Sequence, residues 1–207
     1  MSYSQIKQDV WVLDKLKNKN NGFFVDIGAY DGVNLSNTFL LEELGWNGIC
    51  VECNEQVLPK LRSSRKAKVC DRPIYSSDDK ELFLIDPDEG GDGTLAYVNQ
   101  NSGKKLNPSI SISTLLEEYG APKDIDYISL DIEGGELRVL ESFDFKKYNV
   151  QCWTIEHNLN SRNLDNFVNI VLILLKHGYL VKWHDWDIFA VKDNISSEYI
   201  IDGVRVK

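Results

Sequence analysis

A chain of 207 residues with 43% apolar and 27% charged content has room for one α/β domain with a full core, or at most two small ones. Its net charge of −9 argues against a nucleic-acid backbone as partner; the small group Arg62, Arg65, Lys66 and Lys68 reads as the solvated end of a helix. The start lacks a basic-then-apolar leader, and the longest apolar run, Ile170 to Leu175, is far short of a bilayer span, so a cytoplasmic protein with no membrane partner is expected.

Strand and helix periodicities alternate almost throughout, which predicts an α/β fold with a mainly parallel sheet. Gln5 to Leu16 carries apolar residues at helical spacing. Phe23 to Ile27 is an apolar run suited to a strand buried on both faces. Leu35 to Leu44 reads as the first crossover helix, stopped by Gly45. Gly48 to Glu52 is a second strand, Glu55 to Ser64 a helix, and Ala67 to Cys70 a third strand. Pro73 to about residue 110 is irregular. Short hairpin-forming strands are expected at Pro73 to Tyr75, Glu81 to Ile85 and Leu95 to Val98. Gly90 to Gly93 and Asn99 to Pro108 are turn-rich, either a surface loop or a lid. Regularity returns with a helix at Ser113 to Tyr119, a strand at Ile125 to Asp131 and a helix from Gly135 to Glu141. A strand at Val150 to Glu156 and an apolar helix at Leu164 to His177 follow, the latter ended by Gly178. Tyr179 to Trp183 and Ile188 to Val191 form the closing strand pair. There is no internal repeat and no linker.

The most informative stretch is Val25-Asp26-Ile27-Gly28-Ala29-Tyr30-Asp31-Gly32. A strand, a glycine turn and a helix in that order bind nucleotide-like ligands at the carboxyl edge of a parallel sheet. Tyr30 stands where a dinucleotide loop has its middle glycine, and Asp31 follows. A pyrophosphate wants bare amides and no adjacent negative charge, whereas a cationic, phosphate-free cofactor tolerates the acid. The loop therefore points from nicotinamide dinucleotides toward S-adenosylmethionine.

The strands that should reach this edge end in acids: Asp26, Glu52, Asp131 with Glu133 close behind, and Glu156 followed by His157 and Asn158. Carboxylates gathered at one edge repel unless compensated, and a cationic ligand is one compensation. Glu52 stands where an acid after the second strand meets a ribose diol, and a helix-capping acid is its structural alternative. Asp26 has a structural hydrogen bond to its loop as alternative. Asp71 is a candidate adenine contact or a plain turn acid. Cys50 and Cys53 form a C-x-x-C, but Cys50 lies in a predicted buried strand and no second close pair exists, so buried thiols are the simpler reading.

These segments, with Ser36-Asn37-Thr38, Gly45-Trp46-Asn47-Gly48-Ile49-Cys50-Val51-Glu52, Asp126-Tyr127-Ile128-Ser129-Leu130-Asp131-Ile132-Glu133-Gly134-Gly135-Glu136 and Ile155-Glu156-His157-Asn158, resemble the FkbM-type methyltransferases. The opening Ser4-Gln5 and Gln8-Asp9 is similar as well. The resemblance covers nearly the whole chain. It implies a class I methyltransferase fold, a Rossmann-like, seven-stranded and mostly parallel sheet with helices on both faces, in one domain over 1–207 with an irregular insertion at about 73–110. It also implies S-adenosylmethionine as cofactor and methyl transfer to a hydroxyl of a saccharide or other small molecule.

The expected cofactor contacts are Asp26, Gly28, Ala29, Tyr30, Asp31, Gly32, Asn37, Glu52, Cys53, Asp71 and Asp131, with amides at the start of the Leu35 helix holding a carboxylate. A hydroxyl acceptor must lose its proton as it attacks. His157 is the preferred base because imidazole titrates near neutral pH, with Asp131 and Glu133 as rivals. A metal bound by Asp131, Glu156 and His157 is conceivable but not favoured by the sequence, and no metal is expected. Trp153, Trp183 and Trp186 are candidates for stacking on a sugar face. The competing functions are a catalytically silent cofactor-binding module and a nicotinamide-dependent oxidoreductase.

Overall fold

The computed structural model describes residues 2–86, 96–157 and 164–193. In chain order the elements are α1 (Gln8–Lys15), β1 (Phe23–Ile27), α2 (Phe39–Glu43), β2 (Asn47–Val51), α3 (Leu58–Ser64), β3 (Lys68–Cys70), β4 (Ile74–Tyr75), β5 (Phe83–Ile85) and β6 (Tyr97–Asn99). They continue with β7 (Lys104–Lys105), β8 (Ile110–Ser111), α4 (Ile112–Glu118), β9 (Asp124–Leu130), α5 (Glu136–Ser142), β10 (Asn149–Glu156), α6 (Leu164–Lys176), β11 (Tyr179–His184) and β12 (Asp187–Lys192).

Seven strands form the main sheet in the order β11-β12-β10-β9-β1-β2-β3. β3, β2, β1, β9 and β10 are parallel, and β12 runs antiparallel between β10 and β11. The strand order reverses at β1 and β9, where a crevice opens outside their carboxyl ends. Side chains alternate between the two faces of a strand, so a sheet covered on both sides needs two apolar sets. Phe24, Cys50 and Tyr127 pack with Val12, Leu41, Leu58 and Leu61 of α1 to α3. Val25, Ile27, Ile128 and Leu130 pack with Leu115, Leu140, Ile170 and Leu174 of α4 to α6.

The segment between β3 and α4 builds a side wall. β5 is the centre of a three-stranded antiparallel sheet with β6 and β7, while β4 pairs in parallel with β8. A hairpin is therefore found for β5 and β6 but not for β4. Leu82, Leu84 and Leu106 form a small core there, against which Cys53 and Tyr75 pack. The Gly90–Gly93 turn lies outside the described residues.

The first crossover helix is much shorter than its apolar pattern suggests. Leu35 is left-handed at φ 56° and bridges to Ser4. Ser36 Oγ accepts the N–H groups of Thr38 (3.3 Å) and Phe39 (3.1 Å), so α2 begins only at Phe39. No helix start stands at Leu35 to hold a ligand carboxylate.

Arg65 also departs from its surface reading. Its side chain is fully buried, with Nε 3.3 Å from Glu42 Oε2 and Nη1 3.8 Å from Asp26 Oδ2. Nη2 donates to Thr38 Oγ1 (2.9 Å) and Nη1 to the Gly32 carbonyl (3.1 Å). Thr38 in turn donates to Asp26 Oδ2 at 2.5 Å. Glu42 accepts the N–H groups of Lys66 and Ala67, both at 2.9 Å. One guanidinium thus ties β1, the glycine turn, α2 and the end of α3. Removing one partner of a buried ion network strands the others without compensation. Arg65→Met should lower unfolding free energy by about 3–5 kcal/mol, read as a shift of the urea midpoint.

Candidate active site

A cavity of about 740 Å³ opens at the carboxyl ends of β1, β2, β9 and β10. The glycine turn, the loops after β2 and β9, the side wall and Trp186 line it. Among the described residues, five carboxylates face it, from Asp26, Glu52, Asp131, Glu133 and Glu156, and the single cationic side chain lining it is Arg138.

The turn is shaped by backbone bonds. The N–H groups of Gly28 and Ala29 both donate to the Val51 carbonyl at 3.0 Å, and the Asp131 N–H donates to the Ile27 carbonyl at 2.9 Å. Gly28 sits at φ +89°, and a Cβ there would lie 1.6 Å from the Asp131 carbonyl oxygen. The glycine is therefore required by the neighbouring strand end as well as by any ligand. Tyr30 is left-handed at φ 49°, and its N–H donates to Glu52 Oε2 at 3.0 Å. Glu52 Oε1 accepts the Asn54 N–H at 2.7 Å. Burial pushes the Glu52 carboxyl up, and these amides partly offset it. Asn37 is buried and donates to Ser129 Oγ at 2.9 Å, while its Oδ1 has no hydrogen-bond partner among the described residues.

Beyond β9 the loop is clamped by Glu136, a residue outside the set expected from the sequence. Its Oε1 accepts the N–H groups of Ile132 (3.1 Å) and Gly134 (3.0 Å). Glu133, left-handed at φ 56°, is turned into the cavity. Carboxylate oxygens of Asp131, Glu133 and Glu156 all come within 4.8 Å of one another. Burial and the neighbouring carboxylates push Asp131 up to about 7 and Glu156 up to about 10. The two are hydrogen-bonded, so the pair holds a proton at neutral pH.

Several expected site residues are elsewhere. Asp31 is buried beneath the turn, not on the cavity wall. Its carboxylate accepts the N–H groups of Val33 (2.9 Å) and Asn34 (2.8 Å) and pairs with Lys60 at 2.5 Å. The negative charge that argued against a dinucleotide is thus spent on the turn itself. Gly32 faces Leu61, Ser64 and Arg65 of the α3 region. Asp71 lies outside the cavity and pairs with Arg62 at 2.8 Å. His157 is buried away from the cavity, its ring edge-on to Phe167 at 5.1 Å. Its N–H donates to the Trp186 carbonyl at 2.8 Å, and the ring bonds to the Asp185 backbone. Burial pushes this imidazole down, so it is neutral at pH 7 and fastens the β11–β12 turn. Asn158 lies outside the described residues. Trp153 is core and Trp183 is off the cavity, leaving Trp186 as the indole on its wall. Cys53 is on the wall, but burial pushes its thiol far up, as it does that of Cys50. Asp26, Gly28, Ala29, Tyr30, Asn37, Glu52, Cys53, Asp131 and Glu133 are brought together on the wall.

A seven-stranded sheet of this order, with an acid-lined crevice at the reversal point, is the fold of class I S-adenosylmethionine-dependent methyltransferases. The family model described as methyltransferase FkbM domain matches residues 26–181, and the chain belongs to that family. The precorrin-6y C5,15-methyltransferase from Geobacter metallireducens GS-15 is similar with a TM-score of 0.50 and 13% identity, over 88% of this chain and 85% of that one. TrmK from M. capricolum, solved with S-adenosyl-homocysteine, gives a TM-score of 0.46 and 13% identity over 92% and 71% of the two chains. A TehB-like S-adenosylmethionine-dependent methyltransferase from Corynebacterium glutamicum gives 0.45 and 10% over 90% and 86%. At such identities the likeness is one of fold. No protein of curated function matches the chain. No helix among the described residues is long and apolar enough to cross a membrane.

The enzyme is an S-adenosylmethionine-dependent methyltransferase, and the residues present fit that cofactor. Three carboxylates within 4.8 Å of one another need positive charge nearby or must hold protons. On the same wall, the buried Oδ1 of Asn37 has no donor among the described residues.

Two predictions come from this geometry. Gly28→Ala should cost on the order of 3 kcal/mol and abolish S-adenosylhomocysteine binding, measured by denaturation and calorimetry. Asp131 and Glu156 have folded pKa values raised above the unfolded ones, so their protonated forms favour folding and stability is lost as pH rises through the folded values. The ligand-free melting temperature should fall between about pH 6 and pH 10, and Glu156→Gln should flatten that fall.

Proposed function

We propose that the protein transfers methyl groups to a hydroxyl oxygen of a saccharide or other small hydroxylated metabolite. The carboxylate-lined cavity at the strand ends carries this reading, because it suits a cationic methyl donor beside an acceptor that must lose a proton. S-adenosylmethionine supplies a methyl group on a positively charged sulfur. Gly28, Ala29, Tyr30, Asn37, Glu52 and Cys53 hold the cofactor, with Glu52 at the ribose and Asp26 bracing the turn from below. The amides of Tyr30 and Asn54 already orient Glu52, so its remaining lone pairs are presented in a fixed direction.

The base is Asp131 assisted by Glu156, with Glu133 beside them. An acid tuned to about 7 is matched to removing a hydroxyl proton near neutral pH. His157, seated beneath the hairpin turn, is not the base. Positioning of acceptor and donor supplies much of the remaining acceleration.

The test is calorimetry with S-adenosylmethionine and S-adenosylhomocysteine, followed by transfer of labelled methyl to a panel of saccharides and hydroxylated metabolites. Asp131→Asn should lower kcat by roughly 10²–10⁴ with S-adenosylhomocysteine affinity within a few-fold of wild type. The acidic limb of kcat/KM should bend near pH 7 in wild type, with activity lost as pH falls through it. A chelator should leave the rate within about twofold, because the donor's own charge balances the carboxylates. Cofactor binding with no transfer to any acceptor would favour a silent binding module.

A further inference from the structure

Arg138 is an anomaly in this cavity. Among the described residues it is the single cation in a lining that includes five carboxylates, yet it forms no ion pair with any of them. Its guanidinium lies over the Tyr75 ring, 4.7 Å from the centroid, and Nη1 donates to Tyr75 Oη at 2.7 Å. Gln100 Nε2 donates to the same hydroxyl. A phenolic oxygen has two acceptor sites and one proton. With both acceptor sites taken by Arg138 and Gln100, the Tyr75 proton is left to donate elsewhere. The remaining guanidinium N–H groups are likewise uncommitted among the described residues.

The three side chains come from separate parts of the chain. Arg138 is on α5, Tyr75 on β4, and Gln100 directly after β6. All three line the cavity. Stacking and the hydrogen bond fix the guanidinium plane before any ligand arrives, which reduces the entropy lost on binding. A planar fork of N–H donors next to a phenolic O–H matches a carboxylate or a phosphate.

We infer that the Arg138–Tyr75–Gln100 cluster binds an anionic group of the methyl acceptor, so that the acceptor is an acidic saccharide or metabolite carrying a carboxylate or a phosphate. This rests on the reading of the cavity as that of a hydroxyl-directed methyltransferase. An anion entering among five carboxylates is repelled unless one cation receives it, and so the cluster also sets the acceptor's orientation. Neutral sugars of the same shape lack that anchor and are discriminated against.

The test uses the whole chain saturated with S-adenosylhomocysteine at low salt. Inorganic phosphate and malonate are titrated separately into wild type and into Arg138→Gln, with binding followed by calorimetry. Wild type should bind one of them, and the one bound tells phosphate from carboxylate recognition. Arg138→Gln should weaken that binding by about ten- to a hundredfold, and Arg138→Lys should recover part of it. Affinity for S-adenosylhomocysteine should stay within twofold in Arg138→Gln. A tenfold loss there would assign Arg138 to the cofactor's carboxylate and overturn the inference, as would the absence of Arg138-dependent binding of either anion.

Paired acceptors then separate the two readings. Glucuronate and glucose 6-phosphate are compared with glucose for labelled methyl transfer. An anionic member should be preferred at least tenfold in kcat/KM by wild type, with the preference lost in Arg138→Gln. Equal or better transfer to glucose by wild type would overturn the inference. Arg138-dependent anion binding with no transfer to any hydroxylated acceptor would count against the hydroxyl-directed reading and leave the anion site standing.

Discussion

The buried guanidinium of Arg65 is the interaction on which the site depends. It meets Asp26, Thr38, Glu42 and the Gly32 carbonyl at once. Burying an arginine is costly unless its charge and donors are met, and here the partners come from β1, the glycine turn and α2 with its N-terminal cap. Satisfying one side chain therefore sets the distance between β1, the glycine turn, α2 and α3. The carboxylate of Asp26, at the end of β1, serves this network first. Burial raises its pKa while Arg65 and Thr38 oppose the rise.

Above that floor the electrostatics run the other way. Asp131, Glu133 and Glu156 are gathered within 4.8 Å of one another, and the Asp131–Glu156 pair answers by holding a proton. Clustered acids of this kind give up stability in the ligand-free protein and regain it when positive charge arrives. The same arrangement tunes an acid toward neutral pH. Binding a cationic donor and readying a base are thus two consequences of one crowding of carboxylates.

The acids and glycines of the site were legible because they sit in strand–turn–helix patterns with regular spacing. Asp26, Gly28, Glu52 and Asp131 fall at strand ends, and a parallel sheet brings strand ends to one edge whatever the loops do. Asp31 and His157 misled for a common reason. Each has a residue type suited to chemistry and lies one or two positions from the crevice, but its side chain turns under the backbone. Asp31 closes its own turn with Lys60, and His157 fastens the β11–β12 hairpin. Arg65 reads as a surface cation because its neighbours Arg62 and Lys66 are charged; its buried partners Glu42 and Asp26 are more than twenty residues away in sequence. Tyr75, Gln100 and Arg138 carried no local signal at all, since they meet only when the 73–110 wall folds against α5.

By itself the sequence determined the alternation of strands and helices, the parallel sheet and the line of acids at its carboxyl edge, because hydrophobic period and glycine turns are local properties of the chain. Tertiary structure decided which acids face the cavity, which polar groups are consumed in holding the turn, and where Arg138 stands on the cavity wall. Those outcomes depend on the direction of each side chain and on partners distant in sequence, and neither is encoded in spacing.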